Sequence, residues 1–433
     1  MHVFLKNKPY QTLTLSSFLS SIGSVLFNIV FIIYAGSLPY KTLAVSLVSF
    51  ATVVPTFFMM PMGYLADQSK KRINLMFRFK FVQFGLYLLL SLLIGLNQSI
   101  WIFAILLVIN VASDIISSFT GSLVLPYFKH FVANADLNDA TSFETGINNV
   151  INIVFQGVGA SLIVLLHHNY SLFGIINALS FLLAGIVLIQ QKQLFKQADQ
   201  EEIAEDEAAV QTEVKQQSKE NFFQSMKHSL KLFYEDKLIF SITILAVLVN
   251  TLGIGMDGLS NVLLVNTKSL WFGNFGNTVA LISIVSSVAI TAGALITHDG
   301  LQDVSIPVLV GIAMIWVTGF AINMFWWENR YLMIVLMAAA SYPLGKVNPR
   351  LSAQFIAKIE RKRLAATLSV LNTMSVIGGP VGQIVFLGIA NAMTPKFSWL
   401  IFTACSLLVV VASFYTAAYQ KKYQNAHPVI PDK

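Results

Sequence analysis

Four ionisable residues stand in stretches of this sequence that are otherwise apolar: Asp114, Glu144, Asp257 and Lys346. A charge at the centre of a membrane helix costs at least about 2.5–3.5 kcal/mol on insertion scales, so such residues mark pairing, binding or proton transfer. A carboxyl group held away from water is suited to proton exchange at working pH. Asp114 and Lys346 each lie about 15 residues from the outer start of their stretches, which at a rise of 1.5 Å per residue puts both near a bilayer midplane. The expectation is that both face a central cavity. They would pair directly in one state, or Asp114 would carry a coupling proton; the alternative is a buried polar pair that only fixes packing. Asp257 follows Gly253 and Gly255, which weaken a helix. It either lines an outer gate, takes up a proton, or caps local structure at the interface. Glu144 lies beside Thr141 and Ser142 and is read as a cap, with proton coupling as the rival role.

Amides extend the set. Asn110 is one helical turn before Asp114, so the two share a face. Asn28, Asn149 and Asn250 fall in three further apolar stretches, with Asn28 and Asn250 at corresponding depths of the two halves. These four are candidates to line a substrate cavity, with interhelical hydrogen bonding as the competing role.

Other chemistry is excluded or unsupported. The chain has one cysteine, Cys405, in an apolar run, so it forms no internal disulfide and no Cys/His metal set. No G-x-x-x-x-G-K-[ST] phosphate loop and no H-E-x-x-H motif occurs. His167 and His168 are adjacent and read as surface residues. No nucleophile–base arrangement stands out, so no enzyme, no cofactor and no metal is expected.

The elements that must position these residues follow from composition. Of 433 residues, 55% are hydrophobic and only 11% charged, against about 25% charged in soluble domains. Lipid is the solvent such a chain fits. Apolar runs of membrane-spanning length recur at about 11–36, 41–65, 73–95, 99–126, 140–166, 170–190, 238–265, 276–297, 304–325, 330–352, 365–391 and 396–419. The predicted fold is an all-α membrane protein with twelve transmembrane helices in two pseudo-symmetric six-helix bundles. The domains are 1–190, an N-terminal bundle; 191–237, a cytoplasmic linker; and 238–433, a C-terminal bundle with a short cytoplasmic tail. The linker holds an acidic cluster at 201–207, and Phe222, Phe223, Met226, Leu230 and Phe233 share one face of an interfacial amphipathic helix.

The net charge of +7 is an orientation signal and not a nucleic-acid footprint. With both termini inside, 24 of the 28 Lys and Arg fall on the cytoplasmic side; only Lys41, Lys268, Arg330 and Lys396 fall outside. The halves also echo each other, with Gly157 and Gly159 in the fifth span set against Gly379, Pro380 and Gly382 in the eleventh. Pro380 is expected to bend that helix. Paired bundles with a site between them describe secondary transporters.

One motif carries a family resemblance. Residues 63–72, Gly-Tyr-Leu-Ala-Asp-Gln-Ser-Lys-Lys-Arg, resemble the loop between helices two and three of the major facilitator superfamily. Gly63, Leu65, Ala66, Asp67, Lys71 and Arg72 match its pattern; Gln68 and Lys70 depart from it. The resemblance implies a conformational latch formed across the two halves by Gly63, Asp67, Lys71 and Arg72. The residues leading into span seven, and those from Ile359-Glu360-Arg361 to Pro380-Val381-Gly382, resemble the macrolide-efflux branch.

The resulting expectation is a monomeric transporter in a bacterial cell membrane, its partners a small-molecule substrate, protons and the lipid bilayer. It would export an amphipathic or hydrophobic, macrolide-like molecule by proton antiport with alternating access. A lysophospholipid-type flippase and a transport-inactive sensor or immunity protein are the alternatives.

Overall fold

The computed structural model describes residues 2–96, 98–133, 136–201, 237–296, 299–358 and 364–426. The chain is an all-α membrane protein. It divides into two compact units, residues 1–217 and 218–433. The first contains α1 (His2–Lys6), α2 (Lys8–Ser37), α3 (Lys41–Ala51), α4 (Val54–Asp67), α5 (Arg72–Leu93), α6 (Ile100–Phe131), α7 (Leu137–Leu165) and α8 (Tyr170–Ile189). The second contains α9 (Lys237–Asn266), α10 (Phe275–Leu295), α11 (Ile306–Ile322), α12 (Arg330–Lys358), α13 (Leu364–Ala392) and α14 (Pro395–Ala426). Ten helices among the described residues are long and apolar enough to cross a membrane.

Local chemistry sets where helices begin. Side-chain oxygens of Asn7, Ser99, Asn169 and Asn274 accept hydrogen bonds from backbone N–H groups in the first turns of α2, α6, α8 and α10. Each satisfies a donor that the helix itself leaves unpaired. The predicted second span is two helices. Pro55 has no N–H to give the Ala51 carbonyl, and the chain turns at Thr52 and Val53 between α3 and α4. At the C-terminal end of α11 the coil widens to a π-turn over Asn323–Trp327, and Glu328 follows in the left-handed region at φ 49°.

Within each unit the same five pairings recur. In the first unit α2 packs on α7 and α8, α4 on α6, and α5 on α6 and α8. In the second unit α9 packs on α13 and α14, α10 on α12, and α11 on α12 and α14. The echo in the sequence is thus a repeat of helix pairing, first span with fifth and sixth, second with fourth, third with fourth and sixth.

Two crossings are closed by glycine. A Cβ on Gly293 would lie 2.0 Å from the Tyr342 carbonyl oxygen, and one on Gly345 would lie 2.1 Å from that of Ile290. Helices α10 and α12 therefore meet backbone to backbone, the close approach that small residues permit in membranes. On α13, a Cβ on Gly382 would lie 2.0 Å from the Thr251 oxygen of α9, and one on Gly379 would strike Ile254. Pro380 lies inside α13, which runs unbroken through it. The Gly/Pro cluster of span eleven thus seats α13 against α9.

The start of the predicted linker packs into the first unit. Residues 192–201 are helical, and Phe195, Ala198 and Asp199 are buried. Phe195 and Ala198 join a cluster with Val3, Tyr10, Ala66, Ile73, Tyr127 and Val132 that closes one end of the first unit. The missed signal is Phe195 and Ala198 at i and i+3, too short a pattern to stand out before a charged run. The amphipathic segment at 222–233, the acidic residues after Glu201 and the Ile359-Glu360-Arg361 stretch lie outside the described residues.

Candidate functional site

In the first unit a cavity of about 350 Å³ opens between α2, α5, α6 and α7. Its wall on α2 is a hydroxyl stripe of Ser16, Ser17, Ser20, Ser21 and Ser24, one face at helical spacing. Helix α6 adds Asp114, Ser117 and Thr120; α7 adds Asn148 and Asn152; α5 adds Met76 and Lys80.

Lys80 is the residue that sequence reasoning missed. It lies near the start of span three and is only 4% exposed. Its Nζ donates to Ser20 Oγ at 2.7 Å and sits 5.3 Å from the centre of the Phe181 ring. The signal was present in the spacing: Ile73, Met76, Lys80, Gln83, Tyr87 and Leu90 repeat at helical intervals and form the buried face of α5. Arg78, off that face, is exposed. Gln83, fully buried, donates from Nε2 to Ser113 and Ser117 of α6. The charge on Lys80 is thus held in place by the same packing face that joins α5 to α6 and α8.

Asp114 lies near the middle of α6 and lines this cavity. Among the described residues its carboxylate has no hydrogen-bond or ion-pair partner, and Lys80 makes no ion pair. Asn148 Oδ1 is a further buried acceptor without a partner, while Asn152 Nδ2 is bonded to the Asn148 carbonyl at 2.9 Å. Asn149, the expected cavity residue of this helix, is exposed and does not line the cavity; its neighbours Asn148 and Asn152 do. Asn110 and Asn28 join helices. Asn110 Nδ2 donates to Tyr87 Oη at 3.1 Å and reaches Asn28 Oδ1 at 3.5 Å, tying α6 to α5 and α2. Glu144, near the start of α7, is half-buried beside Tyr10 and lies off the cavity.

Lys346 has a different setting from the one expected. It is 4% exposed and pairs with Asp299 at 2.8 Å; its Nζ also donates to the Ile296 carbonyl. Both partners follow the last residue of α10, so Lys346 stands at the level where α10 ends and not at its mid-depth. Helix α12 runs on past that level, which is why counting from its outer start misplaced the residue. Tyr342 donates to the same carboxylate, and Arg350 donates to the carbonyls of Val304 and Leu301 at 2.8 and 2.9 Å. The Lys346 and Tyr342 hydrogen bonds pull the Asp299 carboxyl down to about 2. This is a clasp on the α10–α11 loop. Asp257 in α9 is exposed and has no hydrogen-bond or ion-pair partner among the described residues. Asn250 lines a second cavity of about 210 Å³ walled by apolar residues such as Leu245, Val249, Ile290 and Val347.

The proposed latch loop is placed in part. Asp67 ends α4 and Lys71 precedes α5, exposed. Gly63 meets no neighbour that a Cβ would strike. Arg72 is buried in the first unit. Next to it, the Ile73 N–H points at Asp199 Oδ2 at 3.5 Å, and Tyr127 Oη donates to Asp199 Oδ1 at 2.7 Å. Asp199, from the helical turn after α8, thereby serves the N-terminus of α5, where a negative charge suits the helix dipole.

No family model matches the sequence, and no curated protein matches it. Solved structures do match in shape. A peptide transporter POT in complex with alafosfalin is 10% identical, with a TM-score of 0.68 over 96% of this chain and 95% of that one. The nucleoside transporter NupG is 13% identical, with a TM-score of 0.66 over 94% and 99%. A POT family transporter in complex with 5-aminolevulinic acid is 9% identical, with a TM-score of 0.65 over 96% of each. At these identities the likeness is one of fold: the chain shares the fold of these transporters.

Proposed function

We propose that this protein is a secondary transporter that carries a small molecule across a membrane by alternating access, with Asp114 as the proton-carrying group. The observation that carries the reading is a carboxylate near mid-helix, without a partner among the described residues, on the wall of a polar cavity, in a fold shared with transporters. An unpaired charge at that depth costs folding free energy. Its retention is accounted for by a group that gains and loses a proton during work. The family resemblance adds the direction and the cargo: export of an amphipathic molecule in exchange for protons. The serine stripe, Lys80 and Asp114 require that such a cargo present a polar end to this cavity. Proton exchange at Asp114 would couple to cargo because both occupy one small cavity.

The test is transport in proteoliposomes with an imposed pH gradient. Asp114→Asn keeps the size of the side chain and removes the titratable group. It is expected to abolish gradient-driven movement while exchange without a gradient persists and insertion is unchanged. Gradient-driven transport equal to that of the wild type would remove Asp114 from the coupling step.

A further inference from the structure

The cavity carries two unlike ends, and their pattern names a ligand chemistry. Lys80 supplies an ammonium with no carboxylate partner among the described residues, beside the hydroxyl of Ser20, which it holds at 2.7 Å. Asp114 supplies an ionisable acceptor with no protein donor among the described residues, and the Asn148 side chain lines the same wall. Both sets line one cavity of about 350 Å³, at the small end of the range of about 300–1,000 Å³ for ligand pockets. Two opposite charges that share a cavity without touching each remain uncompensated. Between packed helices that arrangement is costly unless something of complementary charge bridges them. A purely cationic or purely apolar cargo would leave Lys80 buried and unpaired.

We infer that the cavity binds a small zwitterion, with its anionic oxyacid group on Lys80 and the α2 hydroxyls and its cationic group on Asp114 and Asn148. The inference rests on the transporter reading for its meaning as cargo, and it narrows the polar end of that cargo to one bearing both signs. A charge-assisted contact to a carboxylate or phosphate is what a buried lysine flanked by serine hydroxyls offers. The same chemistry is found in a free amino-acid-like solute and in a phospholipid headgroup.

The experiment is isothermal titration of the purified full-length chain with matched pairs. Leucyl-leucine is set against its methyl ester, and glycerophosphoethanolamine against ethanolamine. The first pair differs in the anionic group alone, and the second loses the glycerol together with the phosphate. The expected result is that at least one parent binds and its anion-free partner binds at least about tenfold more weakly, as loss of a charged hydrogen bond predicts. Binding of leucyl-leucine indicates a soluble solute, and binding of glycerophosphoethanolamine a lipid headgroup. Lys80→Gln should weaken the parent about tenfold and leave the anion-free partner unchanged, whereas Lys80→Arg should restore much of the loss. If Lys80→Gln does not fold, the ligand pairs on the wild type and the Ser20→Ala variant decide. Equal affinity for parent and partner, or no binding by either parent, overturns the inference. Lys80-dependent binding without uptake into proteoliposomes would leave the inference standing and defeat the transporter reading.

Discussion

Single residues in this chain are read correctly only with their partners. Lys346 and Lys80 are both buried lysines in helices, yet one is paired with Asp299 and the other opens on a cavity. The first is structural. Asp299→Asn would leave the Lys346 ammonium buried without its counter-charge, the arrangement that makes breaking a buried pair destabilising. The expected outcome is a fall of several degrees in the melting temperature of the purified protein. The pH sign follows from the Asp299 carboxyl, held down to about 2 by Lys346 and Tyr342. Its contribution is complete above the unfolded value of about 3.9 and is lost as pH falls from there toward about 2. Melting curves should therefore show the wild type losing stability on acidification through that window more steeply than Asp299→Asn. Parallel curves would show that the clasp contributes nothing.

Helices in this protein are joined by devices that propensity does not describe. The α10–α12 crossing depends on Gly293 and Gly345, where an added Cβ meets a carbonyl oxygen of the facing helix. Gly293→Ala should cost about 1–3 kcal/mol through forced separation of the helices. Gly85, in α5, meets nothing that a Cβ would strike, and Gly85→Ala should be neutral or slightly stabilising because alanine is the better helix former. A ranking in which Gly85→Ala is the more harmful, by thermal unfolding in the same detergent, would contradict the packing described. At the closed end of the first unit, Asp199 connects the turn after α8 to Tyr127 and to the start of α5. Asp199→Ala should destabilise by about 1–3 kcal/mol, since it orphans a buried hydroxyl and removes a cap. Tyr127→Phe should cost less than that, since Asp199 keeps its contact with the Ile73 N–H, and proteolysis at 192–201 should accelerate in both. An unaltered cleavage rate in Asp199→Ala would mean that this segment is held by Phe195 alone.

For the whole molecule, the charge asymmetry and the helix pairings make one joint prediction. In the first unit the start of α2, the end of α4, the start of α5, the end of α6 and residues 192–201 gather in one cluster. These are also the places where Lys and Arg concentrate, at 6–8, 70–80, 129 and 192–196. The positive-inside rule assigns that end to the cytoplasm. Cys405 is the sole cysteine, so Cys405→Ser gives a clean background for site-specific labelling. His168→Cys should then react with a membrane-impermeant maleimide in intact cells, and Lys70→Cys only after permeabilisation. The reverse pattern would invert the orientation and the proposed direction of export.

How much of this was legible follows from the range of the interactions involved. The sequence by itself determined the solvent, the all-helical class and the rough limits of the apolar spans. These depend on runs of about 20 residues and on local composition, which lipid reads one helix at a time. Asp114 was conspicuous for the same reason, as a charge alone in an apolar run. Only the tertiary structure decided who meets whom. It turned Asn110 and Asn28 into a tie between helices, replaced Asn149 with Asn148 and Asn152, gave Lys346 to a loop, and drew 192–201 out of the linker into a core. It also set Lys80 opposite a serine stripe on α2. Those outcomes depend on helix rotation and on the level at which neighbouring helices end. A rotation of one residue, about 100°, changes the face a side chain presents, and no single helix specifies it until its neighbours are in place.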